Sequence, residues 1–224
     1  MSGHSLITDR RVNTVLDRLH KQANRQLPGV VGHIAGRALR MLVGGKPSED
    51  DVAYYRDKLI SIDRKQGELL YLLCRCAGAK RVVEYGTSFG VSTLYLASAV
   101  RGNGGGVVIG TELEPFKINA ARQNFEDAGV SDIVDLREGD ALETLKDCGG
   151  SVDFLLVDGW PKLAASVIKL VAPQMRKGAI VLCDEAGHSP SDKAAYRGFV
   201  RDPANGFISM NVSSLRGTEI SVRS

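Results

Sequence analysis

Val82-Val83-Glu84-Tyr85-Gly86-Thr87-Ser88-Phe89-Gly90-Val91-Ser92-Thr93 sets the architecture of this chain. A β-branched run ends in a Gly-x-x-x-Gly turn, and a helix-length amphipathic stretch starts directly after it. Gly86 permits a sharp backbone turn, and Gly90 removes a side chain where a ligand would approach the main chain. The first N–H groups of a helix lack intrahelical partners. Together with the Ser92 hydroxyl they suit an anionic group such as an amino-acid carboxylate.

Outward from that turn, short β-branched runs alternate with helix-length segments, which is how a parallel sheet wound by crossover helices is written. Strands are expected at 81–85, 107–111, 133–136, 152–157 and 179–183. Between the last two, Leu163, Val167, Leu170 and Val171 share one helical face, and Gly178 ends the segment and launches the next strand. Runs at 207–212 and 219–222, joined by Ser213-Ser214-Leu215-Arg216-Gly217, read as an antiparallel hairpin. The expected fold is therefore α/β: a Rossmann-like, doubly wound, seven-stranded sheet, mostly parallel, closed by that hairpin. Before it the chain looks helical, with Leu69, Leu70, Leu73 and Ala77 in one stripe and a helix start at 48–51 after Pro47. Residues 65–224 form the ligand-binding domain in this reading, and 1–64 a helical extension. Within the extension, residues 27–36 carry the small and apolar residues of a mobile lid, of a homodimer contact, or of a plain packing segment.

Two further strand ends bear acids. Thr111-Glu112 closes the second strand, where a carboxylate can accept both hydroxyls of a ribose, and Gly139-Asp140-Ala141 follows the third, beside an adenine ring. Taken singly, Glu84 also reads as an edge charge, Glu112 as a solvated acid and Asp140 as a helix N-cap. Their succession at the carboxyl ends of consecutive parallel strands describes an adenosine with an amino-acid tail, the shape of S-adenosylmethionine.

With these motifs the sequence resembles the class I S-adenosylmethionine-dependent methyltransferases, and within them the catechol O-methyltransferase-like family acting on small molecules. Val83-Glu84-Tyr85-Gly86, Thr111-Glu112-Leu113-Glu114-Pro115, Leu156-Val157-Asp158-Gly159-Trp160 and Leu182-Cys183-Asp184-Glu185 carry the likeness, which runs from about residue 65 to the C-terminus. The resemblance implies that Glu84, Gly86, Gly90 and Ser92, with Thr87 and Ser88 of the same turn, hold the methionine part. It implies Glu112 at the ribose, Asp140, Ala141 and Trp160 around the adenine, and Ser61 and Ile62 closing over the methionine end. It further implies a magnesium ion on Asp158, Asp184 and Glu185, with Asp158 serving donor site and catalysis alike, and S-adenosylhomocysteine as product. Hard oxygen ligands suit such a cation, which makes a phenol of pKa about 10 nucleophilic near neutral pH.

Two positions depart from the family pattern. Glu185 stands where the third ligand is usually asparagine, and Pro161 stands where the catalytic lysine would follow Trp160. Lys162, one place later, takes that role if the turn re-aims it, and His188 is a second candidate base. Rival readings are a nicotinamide-dependent oxidoreductase, which lacks its G-x-G-x-x-G here, and a protein that binds the donor without catalysis, to which Pro161 lends weight. A nucleic-acid methyltransferase is disfavoured, because the net charge of +3 is scattered with no dense basic tract. A hydrophobic fraction of 43% with no apolar run of about 18 residues speaks against a membrane span. Charges at Asp9, Arg10 and Arg11 speak against a secretory signal and for a cytoplasmic protein, and the resemblance implies a small-molecule acceptor. Cys74, Cys76, Cys148 and Cys183 lack metal or redox spacing and read as buried thiols.

Overall fold

The computed structural model describes residues 5–42, 44, 54–184, 189–213 and 217–224. Along the chain run α1 (Arg10–Leu42), α2 (Arg64–Cys76), β1 (Arg81–Tyr85), α3 (Val91–Gly102), β2 (Val107–Glu112), α4 (Pro115–Ala128), β3 (Val134–Glu138), α5 (Ala141–Thr144), β4 (Val152–Val157), α6 (Ala164–Val171), β5 (Met175–Cys183), α7 (Pro190–Val200), β6 (Phe207–Val212) and β7 (Thr218–Arg223). Among the described residues seven strands form one sheet in the order β3-β2-β1-β4-β5-β7-β6, parallel from β3 to β5 and antiparallel at β7 and β6. The expected α/β fold and its C-terminal hairpin are present. Strand order reverses at β1, whose neighbours are β2 and β4, so a crevice opens beyond the carboxyl ends of these strands.

Two-residue periodicity feeds both faces of the sheet. Val82, Phe154 and Leu156 point toward α1–α4, whereas Val83, Leu155 and Val157 point toward α5–α7, all at most 1% exposed. The N-terminal extension shares the first of these cores. Val12, Val15, Leu16 and Leu19 of α1 are buried against α3 and α4. Four such side chains contribute roughly 6–12 kcal/mol, comparable with the net stability of a whole domain.

Several local expectations shift. β5 starts at Met175 and runs through Gly178, which does not launch the strand; the pairing with β4 changes register between Val152 and Phe154. The buried face of α2 comprises Gln66, Gly67, Leu70 and Cys74, while Leu69, Leu73 and Ala77 are only partly covered. Gly67 is required there, because a Cβ would fall 2.3 Å from the Tyr95 ring. Residues 27–36 lie inside α1, which continues through Pro28. The helix start expected at 48–51 lies outside the described residues. Cys74, Cys148 and Cys183 are buried as expected, but Cys76 is exposed. Glu219, fully buried in β7, receives two 2.7 Å bonds from Arg201 and one of 2.6 Å from Ser209, which locks α7 onto the hairpin. Burial alone would raise its pKa, but these bonds and the charges of Arg201 and Arg197 hold it below the usual carboxylate range.

Candidate active site

The glycine turn is shaped from beneath by Glu84. This carboxylate is closed off from solvent, and its Oε2 accepts from the hydroxyls of Thr87 at 2.9 Å and Thr93 at 2.5 Å. The Ser92 hydroxyl also lies against it, while Oε1 is buried without a hydrogen-bond partner. Burial, and to a smaller extent the charge of Glu112, pushes the Glu84 pKa up. Glu84 thus sits behind the turn and braces it.

The turn itself is held in unusual backbone conformations. Ser88 adopts φ +52°, Gly86 +96° and Gly90 +85°. At Gly86 a Cβ would lie 2.6 Å from the Cα of Gly159, so the turns after β1 and β4 touch main chain to main chain. At Gly90 a Cβ would lie 2.4 Å from Phe125 Cε1, so this glycine is needed for packing against α4 as well as for its left-handed backbone. The Phe89 carbonyl accepts from buried Asn124 at 2.9 Å, which ties the turn to α4.

No side chain among the described residues caps the start of α3. Its first intrahelical bond runs from Leu94 N to Gly90 O, which leaves the N–H groups of Val91, Ser92 and Thr93 without helical acceptors. Free N–H groups of this kind, at the positive end of the helix dipole, suit an anion.

Glu112, at the tip of β2, faces this turn. One carboxylate oxygen accepts from Ser88 N at 2.8 Å; the other accepts from Leu113 N at 2.8 Å and Glu114 N at 3.0 Å. The carbonyl of Glu112 receives Gly139 N at 2.9 Å, which joins the tips of β2 and β3. Asp140 is exposed and caps α5 through Leu142 N at 2.9 Å, and Ala141 behind it is buried. Trp160 is 53% exposed, and its carbonyl accepts from the Tyr85 hydroxyl at 3.2 Å, which fixes the turn beyond β4. Leu113, 62% exposed, offers a second apolar surface on the other side of β1.

At the far side of the crevice, Asp158 and Asp184 extend β4 and β5. Asp158 N donates to Tyr85 O at 2.9 Å and Asp184 N to Val157 O at 3.1 Å, so the two half-buried acids stand at adjacent strand tips. Glu185 and His188 lie outside the described residues; among the described ones, no three of His, Cys, Asp and Glu cluster as metal ligands. Lys162 is exposed in a single 3-10 turn that Pro161 opens directly after Trp160. Ser61 is half-buried and Ile62 buried in the strap before α2. A capping box follows: Asp63 accepts from Gln66 N at 2.9 Å, and Gln66 accepts from Asp63 N at 3.1 Å.

Residues 83–186 match a family described as a methyltransferase domain. A catechol O-methyltransferase of Mycobacterium tuberculosis is 36% identical over 127 residues, 56% of this chain and 56% of that protein. An O-methyltransferase of Mycobacteroides abscessus is 33% identical over 152 residues, which cover 62% of this chain and 67% of that one. The chain thus spans little more than half the length of the catechol O-methyltransferases it matches, 56% and 58% in two cases. The O-methyltransferase from Bacillus cereus, solved in complex with SAH, shares the fold with a TM-score of 0.65 at 22% identity, over 84% of this chain and 96% of that one. On sequence and fold together, the chain belongs to the O-methyltransferase family of the class I S-adenosylmethionine-dependent methyltransferases.

Proposed function

We propose that this chain transfers the methyl group of S-adenosylmethionine to an oxygen of a small phenolic acceptor, a catechol in the first instance. The observation that carries the reading is the uncapped start of α3 opposite the Glu112 carboxylate. A zwitterionic amino acid joined to a ribose fits that pair, with its carboxylate on the helix N–H groups and its hydroxyls on Glu112. The adenine then lies beyond β1 between Trp160 and Leu113, near Asp140 and Ala141. The catechol O-methyltransferases among its relatives support the acceptor class.

In the reaction an acceptor oxygen attacks the methyl carbon in line with the sulfur. The new C–O bond forms as the S–C bond breaks, the electron pair goes to sulfur, and neutral S-adenosylhomocysteine is left. Alignment and exclusion of water supply most of the rate. The strap at Ser61 and Ile62 shields the methionine end, and Lys162, in its neutral amine form, takes the phenolic proton. Asp158 and Asp184 are side-by-side hard oxygen donors, so they fit a magnesium ion, with Glu185 as third ligand. Bound there, the ion would supply positive charge that favours the phenolate.

Incubation with labelled donor and a panel of catechols, with magnesium or with a chelator, tests this reading. Label in the methyl ether, lost on chelation, supports it. Pro161 favours a second reading, donor binding without turnover. Tight S-adenosylhomocysteine binding with no label in any catechol, phenol or carboxylate would establish that alternative.

A further inference from the structure

Gln66 is a polar side chain only 7% exposed, set between Ile62, Leu69, Leu156, Leu182 and Thr218. Its two ends serve different elements. Oε1 accepts from Asp63 N at 3.1 Å, so Nε2 is the end that must point away, and it donates to Asp184 Oδ2 at 3.4 Å. Asp63 closes the strap that carries Ser61 and Ile62; Asp184 ends β5 on the acceptor side. One buried amide therefore touches both halves of the crevice.

We propose that Gln66 is a positioning residue that holds the donor strap with one end of its amide and aims Asp184 with the other. The inference rests on the donor site proposed above and adds a residue to it. An amide suits this place for a chemical reason: a single side chain must accept at one end and donate at the other inside an apolar void. Glutamate keeps the acceptor for Asp63 N but sets a carboxylate against Asp184. Methionine fills the same volume and loses both bonds.

The test uses the full chain with Gln66→Glu, Gln66→Met, Asp184→Asn and the double variant Gln66→Glu/Asp184→Asn. Calorimetry reads S-adenosylhomocysteine affinity, labelled donor with catechol and magnesium reads kcat and KM, and urea titration reads stability. Gln66→Glu is expected to lower kcat about tenfold or more while donor affinity stays within about threefold, because only the Asp184 end is broken. Gln66→Met is expected to weaken donor binding as well. In urea, Asp184→Asn should restore stability lost in Gln66→Glu, a non-additive result. Equal proportional losses of affinity and kcat in both Gln66 variants would overturn the proposal, as would additive stabilities. If the wild type binds S-adenosylhomocysteine but methylates no catechol, the acceptor reading fails; the urea cycle then decides Gln66 alone, with coupling supporting it and additivity ending it.

Discussion

Ser88 and Glu112, 24 residues apart, meet at the carboxyl edge of the sheet, where the Ser88 amide donates to the Glu112 carboxylate at 2.8 Å. Ser88 holds a left-handed backbone at φ +52° in this turn. Glu112 therefore shapes the turn, besides standing where the proposed reading puts the ribose. Glu112→Ala leaves the amides of Ser88, Leu113 and Glu114 without their acceptor and should cost about 2 kcal/mol of stability. Urea unfolding reads this; a change within about 0.5 kcal/mol would mean that the clamp is idle.

Gly90 meets two constraints at once, φ +85° and the Phe125 ring 2.4 Å from where a Cβ would stand. Gly90→Ala should lower stability by about 2 kcal/mol or more. Phe125→Leu in the same chain should recover the packing part and leave the backbone part. Thermal melts of Gly90→Ala, Phe125→Leu and the double variant separate the two, and full recovery would show that φ is no constraint.

His20 of α1 is buried beside Tyr95, with Nε2 3.3 Å from the phenolic oxygen. Burial, helped by the Arg64 charge, lowers its pKa from 6.5 to about 4. The unfolded chain binds this proton at higher pH than the folded chain. Stability is therefore fully present above 6.5 and falls as pH drops toward 4, with about 2 kcal/mol lost between pH 7 and pH 5. His20→Phe should flatten that part of the curve. An unchanged slope would assign the acid sensitivity to other groups.

Leu27, Val31, Ile34 and Ala38 follow one another at coiled-coil spacing on an exposed face of α1, the first three more than half exposed. Heptad spacing of apolar residues is the pattern of a helix that packs along another helix, and an identical α1 supplies the matching seam. We propose that a second copy of this chain covers this face. Light scattering after gel filtration should give twice the chain mass, and Val31→Glu/Ile34→Glu should give the monomer. A monomeric wild type would contradict the proposal.

The sequence was readable where chemistry and period coincide. The Val82 to Thr93 stretch placed β1, its turn and α3, and β4 and β6 fall where their alternation puts them. What stayed hidden depends on partners distant in the chain. Gly178 is a strong breaker locally, yet β5 runs through it because β4 pairs on both sides of the irregularity. Pro28 and three glycines argue against one long α1, but it is held by core contacts, by Gln26 receiving Leu59 N at 2.8 Å, and by His33 stacked on Tyr54 at 3.8 Å. Gln66 and Asn124 support the site from polar positions on core-facing helix sides. Neither was expected from the sequence; the Asp63-x-x-Gln66 capping pattern is the signal that points to Gln66.

The central claim is that the rim between Gly86 and Glu112 grips the donor's amino acid and ribose, and no helix among the described residues is long and apolar enough to cross a membrane. Calorimetric titration of S-adenosylhomocysteine into the purified chain is its most direct test. One site per chain is expected, with micromolar affinity or better, weakened at least about tenfold by Glu112→Ala. No heat with the wild type at millimolar ligand, or equal affinity in the variant, would contradict it.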